Sequence, residues 1–133
     1  MLSIHQHVID AVIAHARDDA PNECCGLLGG RGTTIDASLR ARNVKQSPTE
    51  YLVDPRDHFT AIRLWRTEGR EVLGAYHSHP SSPAVPSATD VRAALDAAFA
   101  YVIVSLQHAE RPDVRAYRIA AGNFASLAIV AVP

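Results

Sequence analysis

Apolar residues recur along the chain at two spacings, and each spacing predicts a type of secondary structure. Over residues 3–18 they repeat every three to four positions, which predicts a helix capped by Ser3. A second helix is predicted to begin at Pro55 and to end before Gly69, because proline is favoured at the first helical position and glycine after the last. A third helix is predicted over residues 87–98, which are rich in alanine.

Shorter runs of apolar and β-branched residues, bounded by glycine, proline and polar turns, predict strands. The sequence GGRG separates the first two runs and predicts a hairpin turn. The predicted strands cover residues 23–29, 33–43, 71–77, 101–107, 114–120 and 125–132. This order of helices and strands predicts an α/β fold in which a mixed β-sheet is flanked by helices. A length of 133 residues suits one domain spanning residues 1–133.

Composition and charge disfavour two classes of partner. Apolar residues make up 47% of the chain, and the net charge is −1 with neutral histidines. Such a charge offers no basic surface for nucleic acid and no polybasic patch for a membrane. No apolar stretch is long enough to span a bilayer, and the first residues lack the basic start of a signal peptide, so we expect a cytoplasmic protein. Cys24 and Cys25 are adjacent, which disfavours a disulfide between them, and we expect two buried thiols.

The stretch over residues 75–90, AYHSHPSSPAVPSATD, carries the clearest candidate chemistry. His77 and His79 lie at the end of a predicted strand, where residues two apart share a face. Asp90 lies in the first turn of the following helix, and the proline-rich loop allows that turn to fold back toward the strand. Two imidazoles and one carboxylate are a ligand set typical of catalytic zinc. A plainer interpretation of part of this stretch is that Ser87 and Asp90 form a capping box.

The remaining histidines are not expected to bind metal. His5 and His7 have the same spacing as the pair above, but they lie on a predicted helix, where residues two apart do not share a face. His15, His58 and His108 are isolated in the sequence.

Taken together, the residues of the 75–90 stretch match H-x-H-x7-S-x-x-D, so the chain resembles the JAMM family, also called MPN-plus or JAB zinc metalloproteases. The upstream stretch PNECCGLLGG, which contains Glu23, is similar to P-x-E-x-C-G-L-L-x-G in short bacterial and archaeal members. The stretch NVKQSPTEYLVDP resembles the N…SP…Y-x-V-D-P segment of the same members. The resemblance is to the short prokaryotic Mec-like and desampylase-like branch, and it implies the single-domain MPN (JAB) fold.

The resemblance also implies a mechanism. One Zn²⁺ ion per chain would be bound by His77, His79 and Asp90. Glu23 would act as the general base toward a zinc-activated water, and Ser87 would donate a hydrogen bond to the oxyanion.

The implied activity is that of a zinc-dependent peptidase or isopeptidase. It would hydrolyse the amide bond after the C-terminal Gly-Gly of a small ubiquitin-like or sulfur-carrier protein. A Gly-Gly tail has no side chains and can thread a narrow cleft as an extended strand, for which residues 50–54, EYLVD, with Tyr51, are the candidate wall. A homodimer is compatible with the sequence.

Three other interpretations stay open at this stage. A metal-free MPN scaffold that binds partners would have the same fold, although such scaffolds typically lose a ligand that this chain keeps. A structural zinc site would need a fourth protein ligand, for which Cys24 or Cys25 is the available soft donor. Non-haem iron also uses two histidines and a carboxylate, but it would leave Glu23 and Ser87 without roles.

Overall fold

Eight strands and three helices make up the fold in the computed structural model, which describes residues 1–133. The strands are β1 (Leu2–His5), β2 (Cys25–Arg31), β3 (Thr34–Ala41), β4 (Glu71–His79), β5 (Ala100–Ser105), β6 (Asp113–Ala120), β7 (Asn123–Leu127) and β8 (Ile129–Val132). The helices are α1 (Gln6–Asp19), α2 (Pro55–Thr67) and α3 (Ala88–Ala93). None of the three helices is long and apolar enough to cross a membrane.

All eight strands belong to one sheet, in the order β7-β6-β5-β4-β2-β3-β1-β8. β1 runs parallel to both β3 and β8, β4 runs parallel to β5, and the other pairs are antiparallel. β7 and β8 are joined by the single residue Ala128, yet they lie at opposite ends of this order. The sheet must therefore curl until its two edges approach each other. The mixed pairing confirms the predicted fold class.

The curled sheet packs around α1, whose apolar side forms the main core. Val8, Val12 and Ala16 are buried against strand residues that include Leu28 and Val104. Full burial of side chains as large as valine or leucine contributes roughly 1.5–3 kcal/mol each.

α2 packs on the opposite face of the sheet, which is also the face of the histidines predicted to bind metal. Asp54 caps this helix through its side chain and Pro55 occupies the first position, as the sequence predicts. Trp65 is buried against Leu27 and Ala75, which alternate along β2 and β4 with the residues that face α1. The two helices thus cover the two faces of the central strands.

The first helix begins later than its periodicity predicts. Residues 2–5 form β1, His5 occupies the N-cap of α1, and the prediction that Ser3 caps the helix is wrong. Leu2 and Ile4 are buried on β1, which pairs with both β3 and β8. Pairing with two strands distant in sequence overrides a local pattern that fits a helix.

Two boundaries differ in the C-terminal half. α3 ends at Ala93, short of the predicted helix, and the Tyr101 hydroxyl then binds both backbone groups of Asp96. The strand predicted over residues 125–132 is two strands separated at Ala128, because β7 pairs with β6 whereas β8 pairs with β1. The other predicted strands overlap β2 to β6.

Candidate metal centre

The C-terminal end of β4 carries the two histidines of the site. His77 and His79 lie two residues apart on the strand, and their Nε2 atoms are 3.2 Å apart. Both side chains are buried. β4 is hydrogen-bonded to β2 on one side and to β5 on the other, so its backbone is held along both edges. The structure therefore brings the two imidazoles together on one face, as the strand spacing predicts.

The start of α3 supplies the third side chain. Asp90 Oδ2 lies 3.1 Å from His77 Nε2 and 3.0 Å from His79 Nε2. Burial opposes ionisation of Asp90, but hydrogen bonds with the two histidines outweigh burial and hold the pKa of the Asp90 carboxyl well below its usual range. Asp90 is therefore ionised and able to serve as a ligand.

Ser87 and Asp90 form a capping box at the start of α3. Ser87 Oγ accepts a hydrogen bond from the Asp90 amide at 3.0 Å, and the Ser87 amide donates to Asp90 Oδ2 at 3.0 Å. The plainer interpretation of this pair is thus correct, and it is compatible with the cluster because the same Oδ2 also contacts both histidines. The helix cap orients the carboxylate.

The ring nitrogens that face away from the cluster are held differently in the two histidines. His79 Nδ1 donates to the Pro83 carbonyl at 2.7 Å. Burial lowers the pKa of His79, but contacts with Asp90 and with this carbonyl outweigh burial and raise it, so that a metal ion would have to displace a proton from Nε2. His77 Nδ1 is buried without a hydrogen-bond partner, and its ring stacks on Tyr51 with centroids 4.2 Å apart and planes at 17°. Burial lowers the pKa of His77, which favours the neutral imidazole that a metal needs.

Glu23 is a buried acid outside this cluster. It is 4% exposed, and its Oε1 is buried without a hydrogen-bond partner. Burial raises the pKa of Glu23 to about 8, while the charge of His79 lowers it and that of Asp90 raises it. The pKa of Glu23 therefore depends on the charges of His79 and Asp90. A buried carboxyl oxygen without a partner destabilises a folded protein, so a cation or a bound water beside Glu23 Oε1 would increase the stability of the fold.

The main chain beside Glu23 is fixed to the histidine strand. The amide of Cys24 donates to Ser78 Oγ at 2.8 Å, and the amide of Ser78 donates to the Cys24 carbonyl at 3.1 Å. Ser78 lies between the two histidines and faces the other way. These contacts set the register of Glu23 against β4.

The cluster suits a divalent metal ion. The ligand atoms of His77, His79 and Asp90 all lie within 4.8 Å of one another, and the chain has no other such group of histidine, cysteine, aspartate and glutamate. Two nitrogen donors and one oxygen donor match the three-ligand sites of catalytic zinc, which keep a position for water. Cys24 and Cys25 are free buried thiols outside the cluster, and burial raises the pKa of each to about 12. The structure gives no support for a site closed by cysteine.

Two further features of this region could not be predicted from the sequence. The sequence predicts Tyr51 as part of a cleft wall but not its stacking on His77, which lies 26 residues away in the chain. His15, expected to be an isolated histidine, is buried and lies 2.7 Å through Nδ1 from the Tyr76 hydroxyl and 3.2 Å through Nε2 from Asp19. The sequence indicates only the contact with Asp19, which lies four residues after His15 and therefore one turn further along α1.

The curled mixed sheet, with two histidines at the end of a central strand and an aspartate at the start of the next helix, agrees with the JAMM type of JAB/MPN domain that the sequence motif indicates. Residues 5–120 match the family described as prokaryotic homologs of the JAB domain. The chain belongs to this family, and the resemblance inferred from its motifs is confirmed.

Named relatives match most of the chain. This chain is 34% identical over 124 residues to the CysO-cysteine peptidase of Mycobacterium tuberculosis. The aligned region covers 92% of this chain and 85% of the relative. It is also 35% identical over 111 residues to a desampylase of Haloferax volcanii, and that aligned region covers 78% of this chain and 80% of the relative. The chain is thus similar to proteins named for hydrolytic activities.

Solved structures agree with the fold. A solution structure of a protein from Desulfitobacterium hafniense has a TM-score of 0.92 and 36% identity, covering 99% of this chain and 93% of that protein. A JAB1/MPN domain protein from Archaeoglobus fulgidus has a TM-score of 0.66 and 18% identity, covering 100% and 98%. Because the identity to the Archaeoglobus fulgidus protein is only 18%, this similarity concerns the fold alone. It confirms the predicted MPN (JAB) fold.

Proposed function

We propose that the protein is a zinc-dependent peptidase or isopeptidase that hydrolyses the amide bond after the C-terminal Gly-Gly of a small ubiquitin-like or sulfur-carrier protein. The observation that carries this proposal is the convergence of His77, His79 and Asp90, together with a buried and unpaired Glu23 that senses their charges. Similarity to a CysO-cysteine peptidase and to a desampylase supports the reaction class.

In this proposal the two histidines, through Nε2, and Asp90, through its carboxylate, would hold one Zn²⁺ ion. When bound, zinc lowers the pKa of a coordinated water to about 7 and polarises the carbonyl to be attacked. The chain itself contributes orientation, because the Pro83 carbonyl holds the ring of His79 and Tyr51 holds the ring of His77.

Glu23 is proposed to move the proton. A carboxyl group whose pKa lies near the pH of the reaction can both accept a proton and release it. Burial raises the pKa of Glu23 to about 8 in the metal-free protein, and the charge of a divalent cation at the cluster would lower that pKa. The Oε1 atom of Glu23 has no competing hydrogen bond. Glu23 can therefore take a proton from the attacking water and pass it to the leaving amine.

Ser87 is proposed to stabilise the oxyanion that forms when the carbonyl is attacked. Its Oγ accepts a hydrogen bond from the Asp90 amide, so its hydroxyl proton remains available to another acceptor. One donor of this kind typically contributes about 2.7–4 kcal/mol to transition-state stabilisation. Capping uses a lone pair of Ser87 Oγ, whereas the proposed catalytic role would use the hydroxyl hydrogen.

An apolar cavity beside the cluster is the proposed path of the carrier tail. It has a volume of about 240 Å³, and Tyr51, Leu52, Val53 and Phe99 are among the residues that line it. Tyr51 connects the cavity to the cluster, because its ring also stacks on His77. In this proposal the two glycines, which have no side chains, would pass the Tyr51 ring toward the ligands, and larger residues before them would fill the apolar space.

Intact-mass measurement tests the proposed activity. The zinc-loaded protein is incubated with carrier proteins whose C-terminal Gly-Gly is joined to an amino acid, a peptide or a lysine side chain. We expect the wild-type protein to remove the group after Gly-Gly. We expect Glu23→Gln to bind zinc fully but to release no product, and turnover by Glu23→Gln at the wild-type rate would contradict the general-base role.

Metal analysis separates an enzyme from a non-catalytic scaffold, since only the enzyme should bind one zinc per chain. We expect His77→Ala and Asp90→Asn to weaken zinc binding by more than about 100-fold, because loss of an outer-shell partner alone costs about 10–100-fold. His108→Ala is the matched control, since His108 is exposed and outside the cluster. Unchanged zinc affinity in either ligand variant would remove that residue from the ligand set.

A further inference from the structure

Asn43, which follows β3, uses every hydrogen-bonding position of its side chain. Its Nδ2 donates to the carbonyl groups of Glu23 and Glu50, each at 3.1 Å. Its Oδ1 accepts from the amides of Lys45 and Leu52, each at 3.0 Å. A side-chain amide has two donor hydrogens and two acceptor lone pairs, so all four are satisfied.

These bonds close residues 44–52 into a loop, which we call the Asn43 loop. The amide of Val44 donates to the Leu52 carbonyl at 2.9 Å, and Asn43 and Val53 form an isolated antiparallel bridge at the base of the loop. The Asn43 loop also binds Glu23, because the Ser47 carbonyl accepts from the Glu23 amide at 2.8 Å.

Both backbone groups of Glu23 are therefore held from the same side. Its N–H donates to the Asn43 loop, and its carbonyl accepts from the side chain that closes that loop. Tyr51, whose ring stacks on His77, lies between Glu50 and Leu52, two of the three loop residues whose backbones Asn43 binds. One side chain thus connects the backbone of the acid to the segment that packs on an imidazole of the cluster.

We infer that Asn43 is a positioning residue that sets Glu23 and the Tyr51-bearing loop in a fixed geometry relative to the metal ligands. The effect on turnover rests on the proposed function, whereas the effect on the geometry does not. Asn43 is part-buried, and its amide is fully occupied by bonds within the chain, so it has no hydrogen-bonding position left for a substrate.

Replacement of Asn43 by alanine should affect turnover more than binding. We expect kcat of Asn43→Ala to fall on the order of 10–100-fold, because a small displacement of a reacting group has effects of this size. We expect a smaller rise in KM, because Tyr51 and Leu52 of the loosened loop line the proposed path of the carrier tail. Zinc content should stay at one per chain, since the ligands come from β4 and α3. In hydrogen exchange, the amides of Glu23 and Leu52 should exchange on the order of tenfold faster, while that of Ile103 in β5 stays protected.

A second variant separates the donor bonds of Asn43 from its acceptor bonds. Asn43→Asp keeps an oxygen acceptor for the amides of Lys45 and Leu52 but has no donor for the carbonyls of Glu23 and Glu50, and it adds a negative charge. We expect its kcat to fall as in Asn43→Ala, with faster exchange at Glu23 but retained protection at Leu52. This variant also carries the test if Asn43→Ala does not fold.

The matched control is Asn22→Ala. Asn22 is an exposed asparagine next to Glu23, and its side chain makes no hydrogen bond, so kcat and exchange should equal those of the wild type. Wild-type kcat and unchanged exchange at Glu23 in both Asn43 variants would overturn the inference. Full activity of Glu23→Gln would instead contradict the general-base role in the proposed function, and exchange at Glu23 would still decide whether Asn43 positions that residue.

Discussion

At the scale of single residues, two buried carboxyl groups of the site differ in pKa because their partners differ. Glu23 and Asp90 are each 4% exposed, and burial raises the pKa of both. Hydrogen bonds with His77 and His79 reverse this effect at Asp90, whereas Glu23 Oε1 has no partner and keeps a pKa of about 8. Environments that separate two carboxyl pKa values suit one group to be an ionised ligand and the other to be a proton carrier.

The raised pKa of Glu23 predicts a pH-dependent stability of the metal-free protein. The unfolded chain loses the Glu23 proton near pH 4.5 and the folded chain near pH 8. The stability that the protonated group contributes is therefore present below pH 4.5 and is lost as pH rises through 8. With zinc removed by a chelator, we expect Glu23→Gln to gain roughly 2–4 kcal/mol of unfolding free energy relative to the wild type between about pH 5 and 9.

Urea denaturation of both proteins across this pH range measures that gain. Comparison of the two proteins at each pH removes the titration of the histidines that do not interact with Glu23. The charge of Glu23 helps to raise the pKa of His79, so the measured difference includes the altered titration of that histidine. A difference in unfolding free energy that does not change with pH would contradict the assignment of a raised pKa to Glu23.

At the scale of elements, two glycines of β2 allow large aromatic side chains to contact the backbone of the sheet. A Cβ atom at Gly26 would lie 2.3 Å from the Tyr76 ring on the face of α1. A Cβ atom at Gly29 would lie 2.6 Å from the ring of Trp65 in α2. The close approach of α2 to the sheet therefore depends on the missing side chain at Gly29.

Substitution of Gly29 by alanine should push α2 away from the sheet. We expect Gly29→Ala to lower the free energy of unfolding by about 1–3 kcal/mol, the usual cost of overpacking. The atoms it would meet belong to the six-membered part of the Trp65 ring system, so Trp65→Phe should relieve the clash. In equilibrium denaturation the double variant should lose less stability than the sum of the single variants, and additivity within about 0.5 kcal/mol would contradict this account.

At the scale of the whole molecule, the curl of the sheet depends on a short C-terminal strand. β8 pairs with β1 over four residues, and Ile129 packs against the main core. The Leu2 amide also donates to the carbonyl of Ala128, the residue that joins the two edge strands, at 2.8 Å. β8 therefore links the N-terminal strand to the C-terminal end of the sheet.

Deletion of residues 129–133 should weaken the fold without removing the metal site. We expect unfolding free energy to fall by about 2–4 kcal/mol, from the lost burial of Ile129 and the lost pairing with β1. Zinc stoichiometry should be retained, because β2, β3 and β1 separate β8 from β4 in the sheet. Thermal unfolding and metal analysis check both points, with deletion of Pro133 alone as the control. Loss of zinc from a folded truncated protein would contradict this separation.

The sequence by itself determined the elements and residues that depend on local spacing. The shared face of His77 and His79 follows from the two-residue period of a strand, and the Ser87–Asp90 pair follows from the geometry of a helix cap. The family motif joined these local signals to Glu23, although no local rule brings that residue to the cluster.

Only the tertiary structure decided the contacts between residues distant in the chain. Pairing with β3 and β8 made residues 2–5 a strand, and pairing with opposite edges divided residues 125–132 into two. The same cause explains the stacking of Tyr51 on His77 and the bond from Asn43 to Glu23. Such contacts depend on the register and curl of a sheet assembled from the whole chain, and the periodicity of a short segment contains no information about them.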